Sequence, residues 1–430
     1  MPGHVSELDP AAVTETGSAT YQYRRGILAC DEVSLAEIAA SVGTPFYVYS
    51  ARTIAERYRA LDASFAPRSH SLHYALKANS TLAVVRLLRS LGAGADANSG
   101  GEIEVALRAG FIPAQIVFTG VGKTHDELER AVALGVKAIN AESAGELDRI
   151  EAIARSQGTR ARVALRVNPD IDAQSHPHIS TGLKTNKFGI ALSEARDLAL
   201  TISRRPALDL VGVHVHIGSQ IVNLDPLKRA SAAAVTLARA LRDAGIRLEH
   251  LDLGGGLGIS YNGAPAPDAS GYASALLPGL GDLDLELILE PGRFVIGPAG
   301  ALIAAIVDTK SHPDGHTFAV VDAGMTEFIR PALYGAYHRI APVRLGSGVE
   351  SAYDIVGPVC ESSDTLGVNR LLPPLKVGDL VAVLDAGAYG SVMASNYNRR
   401  AMPAEVMVEL DRWRVIRRRQ TIDDMLACEE

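Results

Sequence analysis

An eightfold alternation of strand-like and helix-like segments between residues 71 and 293 limits how this chain can fold more than any other feature. Short apolar runs are followed by longer segments whose apolar residues recur at helical spacing. The strand-like runs lie at 73–78, 94–99, 116–120, 138–143, 164–169, 212–219, 251–256 and 287–292. Eight such repeats predict an α/β fold with a closed parallel (β/α)8 barrel of the TIM type. An open doubly wound sheet is the alternative, although it normally uses fewer strands.

The rest of the chain predicts a second domain, because a barrel usually needs only about 250 of the 430 residues. After about residue 300 the helical spacing fades, and β-rich segments separated by Pro and Gly turns take over. We therefore predict a barrel over residues 46–300 and a mostly-β C-terminal domain over 301–430. Residues 1–45 are short and strand-like, and we predict that they join the β-domain.

Charge and cysteine content exclude several classes of protein. The 42 basic and 49 acidic residues give a net charge of −7 without a long run of one sign, so neither nucleic acid nor a membrane surface is an expected partner. Cys30, Cys360 and Cys428 are far apart and odd in number, which favours a reducing cytoplasm over a disulfide framework. The N-terminus lacks a signal-peptide pattern, and no run approaches the roughly 18 apolar residues of a membrane span.

Polar residues and glycines gather at the predicted carboxyl ends of the barrel strands, where reacting groups stand in this fold. They are Lys77, Asp96, Arg166, His216, Ser219, Gly254, Gly255, Gly256, Glu290 and Arg293. Lys77 closes an apolar strand. A lysine at the end of a strand is often a surface residue. Next to these other polar residues, however, Lys77 is a candidate for forming a Schiff base, because burial lowers the pKa of a lysine and frees its amine to react.

The glycine run after the seventh strand predicts a phosphate site. It lacks the third glycine of a dinucleotide fingerprint, where Ile259 stands. Consecutive glycines let backbone N–H groups approach a phosphate, and Arg293 offers a positive charge one unit later. The alternative is a tight packing turn.

His214 and His216 are spaced by two, so both side chains face the same way on a strand. A zinc hydrolase uses such pairs, but the sequence shows no third ligand in a motif-like context, and we predict no metal. Glu290 is either an ion-pair partner of Arg293 or a carboxylate that holds a proton on a pyridine nitrogen.

Taken together, these residues resemble one family. HYALKAN, HVHIGSQ, LDLGGGLG, EPGR, GPVCESSD and DAGAYG occur in order over about residues 40–410. This set is similar to that of the barrel-type, alanine-racemase-like decarboxylases of diaminopimelate, ornithine and arginine, which use pyridoxal 5'-phosphate. The resemblance implies the same cofactor and a carbon–carbon lyase activity here.

The resemblance also implies roles for individual residues. Lys77 would carry the cofactor covalently, His216 would stack on its ring and Glu290 would contact its nitrogen. Asp96 and Arg166 would support the ring region. The residues implied to hold the phosphate are Ser219, Gly254, Gly255, Gly256, Gly292, Arg293 and Tyr389.

Segments 176–189 and 321–338 resemble the diaminopimelate branch. Its substrate, meso-2,6-diaminopimelate, has a distal amino-acid head whose carboxylate suits arginine and whose ammonium suits an acid. The implied substrate-binding residues are Arg293, Arg330, Tyr334, Glu361 and Tyr389. The implied reaction yields L-lysine and carbon dioxide, the last step of lysine biosynthesis. Cys360 would protonate the α-carbon, with Cys360 and Glu361 reaching the other subunit's cofactor in a homodimer.

Three alternatives stay open at this point. A related branch acts on carboxynorspermidine, or another diaminopimelate-like amino acid could be the substrate. A regulatory relative without catalysis is a second alternative, but Lys77, Arg293, Cys360 and Tyr389 are all present. The third is a zinc hydrolase on the same barrel.

Overall fold

The structure is a computed structural model that describes residues 20–173, 181–183, 186–313 and 315–430. Part of the 176–189 segment therefore lies outside the described residues. The chain divides into two compact units. The barrel unit contains Ile54–Ser260 and Pro265–Ile296, and the β-unit contains the described residues up to Thr53 together with Tyr261–Ala264 and Gly297–Glu430. Among the described helices, none combines the length and apolar character needed to cross a membrane.

The strands, in chain order, are β1 (Tyr21–Arg24), β2 (Ile27–Cys30), β3 (Val33–Ser34), β4 (Phe46–Ser50), β5 (His70–Ala75), β6 (Gly94–Ala97), β7 (Ile116–Phe118), β8 (Ala138–Ala141), β9 (Ala161–Asn168), β10 (Ile190–Ala191), β11 (Leu208–Val215), β12 (His250–Asp252), β13 (Glu286–Leu289), β14 (Gly300–Ser311), β15 (Thr317–Val321), β16 (Ile340–Pro342), β17 (Ser351–Val356), β18 (Thr365–Leu372), β19 (Leu380–Val383), β20 (Ala404–Glu409) and β21 (Arg412–Arg417).

The α-helices are α1 (Leu35–Val42), α2 (Ala51–Phe65), α3 (Leu82–Ser90), α4 (Gly100–Ala109), α5 (His125–Leu134), α6 (Ala144–Ser156), α7 (Leu192–Ile202), α8 (Asp225–Asp243), α9 (Ala269–Leu280), α10 (Arg293–Ile296), α11 (Arg330–Tyr334) and α12 (Ile422–Leu426).

The barrel is closed by parallel pairing of eight strands. The order β5-β6-β7-β8-β9-β11-β12-β13 returns to β5, where Leu287 lies opposite His70. The two-residue strand β10 pairs with β9 outside this circle. The prediction of a closed (β/α)8 barrel beside a mostly-β domain is confirmed, and the open-sheet alternative is wrong.

Local sequence signals set the ends of several barrel helices. In α5, the Thr124 side chain accepts the N–H of Glu127 while the Glu127 carboxylate accepts the N–H of Thr124. The helix ends at Gly135, which has φ of 65°. The Ser or Thr start and Gly stop in the sequence therefore correspond to real caps that satisfy terminal backbone groups.

The β-unit is built around β4, which pairs antiparallel with β14 and parallel with β20. All five residues of β4 are buried, and Tyr21, Leu28 and Ile38 from the preceding segment pack in the same core. Residues 46–50 lie inside the range predicted for the barrel, yet they form a central strand of the other unit. Apolar periodicity carries no information about the pairing partner of a strand, so it could not assign this segment to the β-unit.

The ion pair between Lys123 and Glu146 is buried in the barrel unit. Lys123 Nζ lies 2.8 Å from Glu146 Oε1, and the two side chains are 1% and 3% exposed. Nζ also donates to the carbonyl oxygens of Gly120 at 2.7 Å and Asn140 at 2.8 Å. Glu146 Oε2 accepts the N–H of Glu142 at 2.8 Å. Each charge is thus desolvated but surrounded by hydrogen bonds, which is the condition under which a buried pair is tolerated.

We predict that Glu146→Ala lowers the free energy of unfolding by about 3–5 kcal/mol, because it leaves the Lys123 ammonium buried without its counter-charge. Glu104 provides a matched control, since its pair with Arg130 at 3.0 Å is about half exposed. Glu104→Ala should cost less than about 1 kcal/mol. Urea unfolding followed by circular dichroism measures both, and equal losses would contradict the role assigned to the buried pair.

Candidate active site

Lys77 lies at the carboxyl edge of the barrel. Strand β5 ends at Ala75, and Lys77 follows in the 3-10 turn Leu76–Ala78. The sequence had placed Lys77 at the end of the strand itself. Its Nζ is 2.9 Å from Asp96 Oδ2 and 3.4 Å from Asn98 Oδ1. Burial and the charge of Glu290 raise the pKa of Asp96, while the Lys77 ammonium works against that rise. The Asp96 carboxylate therefore holds the Lys77 ammonium in position at the carboxyl edge of the barrel.

The three glycines after β12 form a cradle that no side chain could share. A Cβ on Gly255 would lie 2.2 Å from the carbonyl oxygen of Glu290, and one on Gly254 would lie 2.5 Å from that of Val215. Gly254 also has φ of 65°, which favours glycine. Gly256 has φ of 106°. Backbone can approach a ligand closely at such a run.

The side chains of Arg293 and Ser219 contact each other near the carboxyl ends of the last barrel strands. Arg293 begins α10, is 4% exposed, and donates from Nη2 to Ser219 Oγ at 3.0 Å. Gly292 packs tightly against the turn that carries Lys77, since a Cβ there would lie 3.0 Å from Ala78 Cβ. A guanidinium, a hydroxyl and glycine backbone together suit the geometry and charge of a phosphate group.

His216 is held as a neutral ring. Its Nδ1 accepts the N–H of Gly255 at 3.2 Å. Burial, with the positive charge of Lys77 second, lowers the pKa of His216 well below its usual range. A neutral imidazole with one nitrogen occupied by backbone presents its face for stacking and adds no charge to the site.

Glu290 follows β13 and is 3% exposed. Its Oε1 lies 3.3 Å from His214 Nε2 and accepts the Thr119 hydroxyl at 3.5 Å. Among the described residues, no N–H or O–H group donates to its Oε2. Burial opposes ionisation, but the charges of His214 and Lys77 prevail and lower the pKa of Glu290. A buried carboxylate with one oxygen still to be satisfied fits a protonated pyridine nitrogen.

Arg166 contacts different groups from those the sequence suggested. Its Nη1 lies 2.5 Å from Glu142 Oε1, and its guanidinium lies 4.7 Å from the centre of the Phe188 ring. Glu142 in turn accepts the N–H of Gly189 at 2.8 Å. Sequence reasoning did not find Glu142, because it has no motif around it. Arg166 and Glu142 therefore anchor Phe188 and Gly189, just before β10, and the part of Arg166 in the ring region stays a prediction.

In the β-unit, Arg330 and Tyr334 lie on the same short helix, α11. Arg330 Nε donates to His338 Nε2 at 3.2 Å, while His338 Nδ1 donates to the carbonyl oxygen of Leu384 at 2.9 Å. The guanidinium carbon lies 5.3 Å from the Tyr261 ring centre and 5.8 Å from that of Tyr334. The carbonyl fixes the neutral tautomer of His338, so the imidazole sets the plane of the guanidinium. Sequence reasoning missed His338.

Cys360 and Glu361 lie in a turn that Asp364 holds together. The Asp364 carboxylate accepts the N–H groups of Val359 at 2.7 Å and Met325 at 2.5 Å. The Tyr397 hydroxyl donates to Glu361 Oε1 at 2.8 Å, and Cys360 is an exposed free thiol.

Tyr389, the remaining predicted residue of the β-unit, is partly buried with φ of 56°. A left-handed backbone is uncommon for a residue with a side chain of this size and marks a constrained turn.

His214 belongs to a cluster that the sequence argument did not assemble. It lies close to Asp252 and Glu290, with one ligand atom of each residue within 4.8 Å of the others. The expectation that no metal binds stays a prediction. His216 is not part of this cluster. The sequence named Glu290 but could not place it beside His214, because the two residues come from different strands. Asp252, two positions before Gly254, stood unremarked in the LDLGGG motif.

Comparison with known proteins gives the same family as the motifs. Residues 51–297 match the model of the pyridoxal-dependent decarboxylases, in its pyridoxal binding domain. The chain is 45% identical over 410 residues to a diaminopimelate decarboxylase of Pseudomonas aeruginosa, covering 95% of this chain and 98% of that protein.

Solved structures agree over the full fold. The crystal structure of diaminopimelate decarboxylase from Helicobacter pylori complexed with L-lysine has a TM-score of 0.89 and 43% identity, covering 92% of this chain and 98% of that one. The enzyme from M. jannaschii in co-complex with L-lysine has a TM-score of 0.92 and 35% identity, covering 96% and 98%. The resemblance read from the sequence is thereby confirmed, and the chain belongs to the diaminopimelate decarboxylases, a branch of the pyridoxal-dependent decarboxylase family.

Proposed function

We propose that this chain binds pyridoxal 5'-phosphate and decarboxylates meso-2,6-diaminopimelate to L-lysine and carbon dioxide. The observation that carries the proposal is Lys77, whose Nζ lies 2.9 Å from the buried Asp96 at the carboxyl edge of the barrel. The charge of this ammonium acts on both His216 and Glu290. An amine, a stacking ring and a pyridine-binding carboxylate are what this chemistry requires on one rim.

The bound cofactor would supply an electron sink for the charge left on the α-carbon when carbon dioxide departs. Lys77 would attach it, and the Asp96 carboxylate would hold the amine in reach. The glycine cradle with Ser219 and Arg293 would bind the phosphate. His216 would limit tilting of the ring by stacking, and Glu290 would hold the proton on its nitrogen.

The substrate would be selected through its distal head. We assign the distal carboxylate to Arg330, because a planar guanidinium already oriented by His338 loses little freedom when a carboxylate binds. Arg293, Tyr334 and Tyr389 would complete the head subsite, and Glu361 would meet the distal ammonium. Two charged groups on one head allow discrimination against amines that lack either one.

The α-carbon would receive its proton from Cys360, and we propose that Cys360 and Glu361 act on the cofactor of the second subunit of a homodimer. The turn held by Asp364 would present both side chains together. A thiol can donate a proton only while it is reduced, and all three cysteines are free. This requirement is why we propose a cytoplasmic location.

We predict that the purified protein, supplied with pyridoxal 5'-phosphate and meso-diaminopimelate, releases L-lysine and carbon dioxide in equal amounts. Lys77→Ala should abolish turnover and change the absorbance of the bound cofactor, because no other amine would be positioned to attach it. Amino-acid analysis and carbon dioxide release measure the products. Near-native activity of Lys77→Ala, or preference for carboxynorspermidine in a substrate panel, would overturn the assignment.

We predict that Arg330→Ala weakens binding of L-lysine by about 2–5 kcal/mol, since the carboxylate would lose a buried partner. Cadaverine is L-lysine without that carboxylate, so its binding should change little. Both affinities follow from the absorbance of the bound cofactor during titration. Arg344→Ala, at an exposed arginine of the same unit, is the control. Equal losses for the two ligands would count against this role of Arg330.

The shared site predicts recovery of activity when two inactive variants are mixed. Lys77→Ala and Cys360→Ala homodimers should each have two damaged sites, whereas a mixed dimer has one site with both lesions and one intact site. Random exchange should restore roughly a quarter of wild-type activity. Co-purification through different tags verifies the exchange. If exchange occurs without recovery, both residues act within one subunit.

A further inference from the structure

Three side chains that meet inside the barrel form a cluster that the proposed reaction does not yet explain. His214 lies on β11, directly opposite Asp252 of β12 in the strand register. Asp252 lies opposite Ile288 of β13, and Glu290 is two residues beyond Ile288, so strand alternation turns it to the same side. The three are 0%, 0% and 3% exposed. Neighbouring strands thus deliver an imidazole and two carboxyl groups to one dry point.

The hydrogen bonds of this cluster are incomplete if both carboxyl groups are ionised. Asp252 Oδ1 accepts the N–H of Gly254 at 2.8 Å. Glu290 Oε1 lies 3.3 Å from His214 Nε2, a contact without hydrogen-bond geometry, and neither ring nitrogen of His214 has a hydrogen-bond partner among the described residues. For Asp252 Oδ2 and Glu290 Oε2, the described residues provide no donor. Two buried acceptors without donors are costly, and a single proton on Asp252 would join the two oxygens. A carboxylate oxygen has two lone pairs, so Glu290 Oε2 could still accept a second hydrogen bond from the ring nitrogen.

Charge balance indicates where that proton lies. Burial, followed by the charge of Glu290, raises the pKa of Asp252 well above its usual range. The pKa of Glu290 is lowered despite burial. Lys77 already compensates Asp96. Two ionised carboxylates in this position would repel each other, so the proton lies on Asp252 and Glu290 stays ionised.

We propose that His214 and Asp252 are positioning residues that donate hydrogen bonds to Glu290 and hold it, as the single anion of the cluster, against the ring nitrogen of the cofactor. His214 would donate from Nε2 to Oε1, which lies 3.3 Å away. Asp252, as the neutral acid, donates from its carboxyl group while Gly254 fixes its other oxygen. The inference rests on the proposed function only in taking Glu290 as the partner of the ring nitrogen.

The test compares pyridoxal 5'-phosphate with its carbocyclic analogue, in which a CH group replaces the ring nitrogen. Affinities of the cofactor-free full-length protein for each are measured by absorbance titration. Asp252→Leu and His214→Leu should each weaken binding of the natural cofactor roughly tenfold to a hundredfold, from loss of a hydrogen bond to a charged group. Binding of the analogue should change far less, because it makes no demand on Glu290.

Conservative variants separate positioning from packing. Asp252→Asn and His214→Gln each keep an N–H donor, so both should retain most of the affinity for the natural cofactor and its native absorbance spectrum. His250→Leu is the control, since His250 is 1% exposed at the amino end of the strand that carries Asp252. It should affect the two cofactors equally.

Three outcomes would overturn the inference while leaving the proposed function intact. The first is an equal loss for cofactor and analogue in Asp252→Leu. The second is failure of Asp252→Asn to rescue binding when circular dichroism shows a native fold. The third is a stoichiometric divalent metal in the purified wild-type protein that is lost in Asp252→Asn, since the same three residues would then be ligands. Failure of the wild-type protein to bind pyridoxal 5'-phosphate would instead refute the proposed function itself.

Discussion

Closure of the parallel barrel is the constraint on which the site depends. Because every pairing from β5 through β13 and back to β5 is parallel, all eight carboxyl ends must open on one rim. Lys77 follows the first strand and Glu290 the last, so closure makes neighbours of residues from opposite ends of the barrel sequence. An open sheet with the same strands would leave them at its two edges.

Burying several charged residues near the carboxyl rim of the barrel costs desolvation energy, and ion pairs between these residues offset that cost. Two buried ion pairs lie close together in the barrel unit. They are Arg166 with Glu142 and Lys123 with Glu146. Glu142 and Glu146 are joined by a backbone hydrogen bond, so the two pairs form one network. Removing any one of these residues would leave its partner as a buried charge without a counter-charge. These four charged residues therefore hold one another in place, which is the kind of support that positions reacting groups precisely.

The sequence predicted the parts of the site that local patterns encode. Apolar periodicity gave the eight strands, and the fold rule then pointed to Lys77, His216 and Glu290 at their ends. It could not predict Asp252 or His338, because their roles come from partners on other strands or beyond a turn. Phe46–Ser50 shows the same limit, since a strand pattern does not name its neighbours. Register and side-chain direction are properties of the assembled sheet.

The chemistry and the selectivity of the proposed reaction depend on different kinds of preorganisation. In the barrel unit, charged residues are held by opposite charges, as Lys77 is by Asp96. Arg330 instead contacts the neutral His338 and the faces of Tyr261 and Tyr334. These three groups orient the guanidinium. The guanidinium of Arg330 is already desolvated and oriented in the folded protein. A carboxylate that binds to it therefore does not lose binding energy to ordering the arginine side chain.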